Sequence, residues 1–228
     1  NDIADINNDG LADIIELDMN PEDNYRKKMM LNPNNYQNNQ FFDNYKYQYQ
    51  YGRNTLQLNR GRRMLQQDSI GEPVFSEIGY LSGLAETDWS WTPLVADFDN
   101  DGWRDIIIMN GFRKDISDHD FIAYRDRSSS LVTKQFLLDQ IPEVKIPNYA
   151  FHNNQDLTFT NVTKQWGLDI PSYSNGATYA DFDNDGDMDC IISNINDPVS
   201  LYRNTLNDIP DRGYHYLQLK FQGSYPNV

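Results

Sequence analysis

An all-β fold built from repeated short antiparallel sheets is what this sequence predicts, and three observations carry the prediction. A nine-residue phrase recurs three times: Asp5-Ile-Asn7-Asn8-Asp9-Gly10-Leu11-Ala12-Asp13, Asp97-Phe-Asp99-Asn100-Asp101-Gly102-Trp103-Arg104-Asp105 and Asp181-Phe-Asp183-Asn184-Asp185-Gly186-Asp187-Met188-Asp189. Each phrase runs directly into a β-branched stretch (Ile14-Ile15, Ile106-Ile107-Ile108, Ile191-Ile192), which reads as a buried strand. The second and third phrases lie 84 residues apart, and the match extends upstream without a gap: Phe75 with Phe159, Ile78 with Val162, Gly83-Leu84 with Gly167-Leu168, Ala96 with Ala180. The repeating unit is therefore larger than the phrase.

The elements follow in order. The first unit offers strands at 13–19, 54–59 and 74–78, with its inner strand mostly missing. The second has 92–96, 105–110, 149–153 and 157–162. The third has 177–180, 189–194 and 199–203. Four short antiparallel strands repeated around an axis describe a β-propeller blade, and a closed ring needs at least about four blades. The chain thus reads as about three four-stranded antiparallel blades of a larger propeller. Its divisions are 1–79, 80–163 and 164–212, with 213–228 beyond them. Both ends look cut. Residues 112–147 read as a small helical insertion, with a capping-box-like start at Ser117-Asp-His-Asp120 and apolar residues at helical spacing over 131–141. Residues 20–53 form a second insertion, rich in Asn, Gln and Tyr. Tyr45, Tyr47, Tyr49 and Tyr51 would share one face if this stretch is a strand, packed on its neighbours or offered to sugar rings.

The phrase has the chemistry of a calcium loop. Oxygen side chains stand at positions 1, 3, 5 and 9. The glycine at position 6 permits a sharp turn, and the peptide carbonyl at position 7 completes the shell. The candidate ligands are Asp5, Asn7, Asp9, Leu11 (carbonyl) and Asp13; Asp97, Asp99, Asp101, Trp103 (carbonyl) and Asp105; Asp181, Asp183, Asp185, Asp187 (carbonyl) and Asp189. Up to three Ca²⁺ are expected, the first site being weaker because Asn7 replaces a carboxylate. An EF-hand has flanking helices and a Glu at position 12. Glu16 stands there in the first copy, but Ile108 and Ile192 stand in the others, and the flanks read as strands.

Composition narrows the function. The formal net charge is −15, which argues against nucleic acid as a partner. No apolar run approaches the ~20 residues of a transmembrane helix. The single cysteine, Cys190, allows no intrachain disulfide and reads as a small buried hydrophobe. Catalytic signals are sparse: Gly79-Tyr-Leu-Ser-Gly83 has the wrong spacing for a nucleophile elbow. His119, His152 and His215 form no zinc pattern; His119 reads as surface, the other two as structural. Trp89 and Trp91 read as packing residues between blades.

With these residues in view, the loops together with Phe159-Thr-Asn-Val-Thr163 and Gly167-Leu168 resemble the FG-GAP/VCBS repeat family. The tail Tyr214-His-Tyr-Leu-Gln-Leu-Lys-Phe-Gln-Gly223 resembles the opening strand of an ASPIC/UnbV domain. Gly111–Phe121 and Asp18–Arg26 are similar to large surface proteins of Bacteroidota. The resemblance implies a seven-bladed propeller in a longer exported protein, and no activity. The expected function is a calcium-binding extracellular binding or scaffold module. Its partner would be a protein or glycan at the cell surface, or an outer-membrane complex. A propeller-borne polysaccharide lyase or hydrolase is the alternative. Calcium sites in extracellular modules often bind with Kd of about 10⁻⁴–10⁻³ M. Cytosolic calcium leaves such sites empty, so the expected location is extracytoplasmic, surface-associated or secreted.

Overall fold

A computed structural model describes residues 1–31, 36–64, 70–209, 216–217 and 219–223. Its elements are β1 (Asp2–Ala4), β2 (Asp13–Glu16), β3 (Met19–Asn20), α1 (Asn24–Met29), α2 (Tyr36–Tyr45), β4 (Thr55–Met64), β5 (Ile70–Glu77), α3 (Gly79–Ser82), β6 (Asp88–Ala96), β7 (Asp105–Asn110), α4 (His119–Ser128), α5 (Lys134–Asp139), β8 (Tyr149–Asn153), β9 (Phe159–Asn161), β10 (Ser174–Ala180), β11 (Asp189–Asn194) and β12 (Ser200–Tyr202). They form three antiparallel sheets, ordered β1-β2-β4-β5, β3-β6-β7-β8-β9 and β10-β11-β12. The architecture is all-β and propeller-like, with few helices.

Two apolar cores separate the sheets. Ile6, Ile15 and Leu56 of the first sheet region meet Val95, Ile106, Ile108 and Phe151 of the second. Leu94, Ile107, Met109 and Ala150 of the second meet Leu168, Cys190 and Ile192 toward the third. Successive residues of a strand face opposite ways, so β7 sends Ile106 and Ile108 into one core and Ile107 and Met109 into the other. That double burial is why its run is apolar without alternation. Cys190 is buried, and burial pushes its thiol up to about 12, so it behaves as a small hydrophobe.

The metal-type loops all lie at one end of their strand pairs, joining β1 to β2, β6 to β7 and β10 to β11. Both insertions leave from the opposite end, after β2 and after β7, and they dock on each other. Met30 bridges Asp118, and the Leu31 N–H donates to the Ser117 carbonyl at 2.8 Å. Arg26 of α1 reaches Asp88 (2.8 Å) and Asp115 (2.9 Å). Asp118 caps α4 by accepting from Phe121 N–H, and Thr133 caps α5 in the same way through Phe136 N–H. At the root of the helical insertion Trp89 stacks on Phe112 with centroids 4.4 Å apart. The Trp91 indole N–H donates to the Gly111 carbonyl at 2.8 Å.

The tyrosine alternation does not form a strand. Tyr45 closes α2, Lys46 turns left-handed at φ 55°, and 47–51 have no regular structure. Among the described residues no strand pairs with this stretch, so alternation alone has no ladder to hold it. The rings instead stack in pairs, Tyr45 with Tyr47 at 5.8 Å and Tyr49 with Tyr51 at 6.4 Å. The expected β segment at 213–228 falls largely outside the described residues, and its described positions carry no strand.

Gly111 follows β7 at φ 124°, where a Cβ would stand 2.5 Å from the Ser172 carbonyl oxygen and 2.8 Å from Tyr173 Cα. Both obstacles are backbone. Gly111→Ala is expected to cost about 2 kcal/mol or more in a urea titration. Gly102→Ala, whose Cβ meets nothing within 4 Å, should cost only the left-handed penalty of about 1 kcal/mol.

Candidate metal centre

Each loop repeats one backbone shape. The residue at position 4 is left-handed in all three, Asn8 at 56°, Asn100 at 58° and Asn184 at 60°. The glycine at position 6 follows at 84°, 91° and 93°. Asparagine is among the few non-glycine residues that tolerate this region. Between these two turns the backbone N–H groups point inward at the first aspartate. Asp5 accepts from Asp9 N–H and Gly10 N–H, Asp97 from Asp101 and Gly102, Asp181 from Asp185 and Gly186, at 2.8–3.1 Å.

The ninth-position aspartates are buried clamps between strands. Asp13 accepts from Ile6 N–H (2.9 Å) and Asn59 N–H (2.7 Å). Asp105 accepts from Phe98 (3.2 Å) and Asn153 (3.0 Å), and Asp189 from Phe182 (2.9 Å) and Asn204 (2.8 Å). Burial, helped by the repulsion of neighbouring Asp99 and Asp101, pushes the Asp105 carboxyl up to about 8. Burial likewise raises Asp13, Asp97 and Asp99. These carboxylates are gathered at a cost that a cation would offset.

The convergence differs from loop to loop. Asp97, Asp99 and Asp105 bring carboxylate oxygens within 4.8 Å of one another, as do Asp181, Asp183 and Asp189. In the first loop Asn7 replaces a carboxylate, and its amide donates to Asp9 at 3.0 Å. In the third loop Asp187 Oδ1 is buried without a hydrogen-bond partner, while Asp185 Oδ2, also without a hydrogen bond, lies 3.5 Å from Arg203 Nη2. An orphaned buried carboxylate oxygen in a ring of hard donors fits a divalent cation. The Asp187 carboxyl is buried beside this ring, where burial lifts it to about 6, and its Oδ2 accepts from Asn207 N–H at 3.0 Å. For the peptide carbonyls of Leu11, Trp103 and Asp187 the structure supplies the turn that would aim them.

Two sets of residues escaped the sequence reading. Asn59 within β4, Asn153 at the end of β8 and Asn204 just past β12 each donate a side-chain amide back to their own loop, at Ala12, Arg104 and Met188. Asn153 and Asn204 also donate across to the preceding loop, to Ile6 O (3.0 Å) and Phe98 O (2.7 Å). Asn8 donates to Gly102 O (3.0 Å) and Asn100 to Gly186 O (3.2 Å), so consecutive loops are also bonded through position 4. The signal was present as an Asn at the end of the predicted strands 54–59 and 149–153 and directly after 199–203. The second set is the residues directly before those asparagines. His152 Nδ1 lies 3.1 Å from Asp99 and 3.3 Å from Asp105. Arg203 donates to Asp183 at 2.7 Å and holds its carboxyl below the usual range. His119 is exposed, and His215 lies outside the described residues.

Comparison with known proteins finds likeness over part of the chain. Residues 145–192 match the FG-GAP-like repeat. Cartilage acidic protein 1 of Homo sapiens is 40% identical over 57 residues, which is 25% of this chain and 9% of that protein. Cartilage acidic protein 1 of Mus musculus is 39% identical over the same length and shares. The chain therefore spans only a small part of the curated relatives it matches. Among the described residues no helix is long and apolar enough to cross a membrane. The stretch that matches the FG-GAP-like repeat runs from β8 through the third acidic loop into β11, within a set of propeller-like sheets.

Proposed function

We propose that the three loops bind Ca²⁺ and that the chain is a calcium-stabilised, extracytoplasmic binding or scaffold segment whose partner is a protein, or a glycan, at a cell surface. Each sheet is one blade, divided as 1–79, 80–163 and 164–212, with β3 (Met19–Asn20) of the first segment crossing to edge the second sheet. The ligands are the side chains at positions 1, 3, 5 and 9 and the carbonyl at position 7. The observation that carries the reading is the threefold repeat of one cage: the same two left-handed residues, the same inward N–H groups and the same clamped ninth aspartate, with a buried carboxylate oxygen of Asp187 left unpartnered in the third copy. Hard carboxylate and carbonyl oxygens suit Ca²⁺. The ion would tie the loop to β7 and β8, or to β11 and β12, through residues already bonded across those strands, so binding free energy adds to folding free energy. The FG-GAP-like match and the likeness to a protein named for its acidity support the same reading.

Calorimetric titration of chelator-treated protein tests it. Binding with a Kd of about 10⁻³ M or tighter is expected. Asp185→Ala should remove one site, and Asp169→Ala, an exposed aspartate outside the loops, should remove none. Absence of calcium binding up to 10-fold above that concentration contradicts the reading.

A further inference from the structure

The three loops share a scaffold but face different cross-strand neighbours. The register that pairs Ile106 with Phe151 places Asp105 opposite His152 one step further on. The same step places Asp13 opposite Leu58, and Asp189 opposite Arg203. Residues opposite each other in a strand pair share a face, so this one position decides what each cage meets from the third strand. It is an apolar side chain in the first, an imidazole in the second and a guanidinium in the third.

In the second loop the imidazole enters the cage. His152 Nδ1, an oxygen of Asp99 and an oxygen of Asp101 all lie within 4.8 Å of one another. The Nδ1 separations from Asp99 and Asp105 are 3.1 and 3.3 Å. Metal bonds of about 2.1 Å to nitrogen and oxygen place neighbouring donors roughly 3.0–3.4 Å apart. The side chain is 31% exposed, which leaves an entry path. Calcium takes oxygen donors, whereas imidazole suits zinc, cobalt and nickel.

We propose that the second loop is a mixed nitrogen–oxygen site that takes a borderline divalent transition metal of the zinc and cobalt class, with His152 Nδ1 as a ligand beside Asp99 and Asp101, while the first and third loops remain oxygen-only sites. The inference rests on the reading of the loops as cation sites and adds to it a division of labour among them. The third loop is the opposite case: Arg203 already supplies a cation to Asp183, and it stands 3.5 Å from Asp185.

Cadmium-113 resonance of the whole metal-free chain, loaded with Cd²⁺, tests the assignment. One bound signal is expected downfield of the oxygen-only signals, as a nitrogen ligand requires. It should vanish in His152→Gln and in His152→Leu, the residue type of the first loop. Asp9→Ala and Asp185→Ala, which identify the first and third loops, should leave it in place. In calorimetry Zn²⁺ should bind one site at least 10-fold more tightly than Ca²⁺, and His152→Leu should erase that preference. Melting of both His152 variants in calcium reports whether they fold. Bound signals confined to the oxygen-only range, or a downfield signal that survives both substitutions, overturn the nitrogen assignment and leave the calcium reading standing. Absence of any bound cadmium and any calcium heat overturns both.

Discussion

Chelation with EDTA is expected to lower the melting temperature of this chain by about 5–10 °C for each calcium site emptied, and added calcium should restore it. At calcium about 100-fold above Kd, a site that exists only in the folded state contributes about 2.7 kcal/mol. For a chain of this size each kcal/mol moves the midpoint by about 2–4 °C. Magnesium should restore less, since it demands a tighter octahedral shell and sheds water reluctantly. The pH trend under chelator supplies a second arm. Without a cation, burial holds Asp105 at about 8 and Asp187 at about 6. Carboxyls raised in the folded state contribute stability that is full below their unfolded value of about 4 and is lost as pH rises through the folded values. The metal-free protein should therefore melt lower at pH 8 than at pH 5. In calcium that fall should disappear, because ionised carboxylates are the form the ion binds. Melting curves indifferent to EDTA at every pH contradict metal-stabilised loops.

Arg26→Ala should cost about 3–5 kcal/mol, the range for removing one partner of a buried charge cluster. Arg26 is bonded on both sides, through Nε and Nη2 to Asp88 and through Nη1 to Asp115. Asp115 is 1% exposed in its side chain and Asp88 9%, so neither carboxylate regains water when the guanidinium goes. Their bonds hold the guanidinium protonated against the pull of burial. Asp88 itself sits left-handed at φ 68°, a conformation costly for a residue with a side chain and held by this contact. Arg26→Lys keeps the charge but loses the fork, and an intermediate loss is expected. The double change Arg26→Met with Asp115→Leu should recover part of the loss, since a buried pair replaced by apolar side chains is often neutral. Urea midpoints measure all three. A loss below about 1 kcal/mol for Arg26→Ala would show that the docked insertion adds little to stability.

Much of the sheet was legible because its signals are local. The run Asp105–Asn110 and the segment Tyr149–Asn153 fall on β7 and β8 with the bounds read from the sequence. Burial on both faces leaves an unbroken apolar run, and a turn signal follows each. The helical insertion was legible in outline, though the capping box read at Ser117–Asp120 is one residue off: Asp118 is the cap of α4, and Ser117 bonds Asp115 instead. Its two helices, α4 and α5, were read as one cap and one later stretch, with the first helix itself underread. The tyrosine segment misled because alternation is a property of strands only where a partner strand exists.

The sequence by itself determined the loops. Two left-handed positions, four oxygen side chains and the strand that follows are written in consecutive residues, and nine residues suffice to set that geometry. Only the tertiary structure decided what closes each loop. The asparagine that bonds the ninth aspartate lies 46, 48 or 15 residues beyond it, because insertions of different length intervene. The imidazole at the second loop, the guanidinium at the third and the Asp88–Arg26–Asp115 cluster arise the same way. Strand register and docking bring together side chains whose separation along the chain carries no period, so no local pattern announces them.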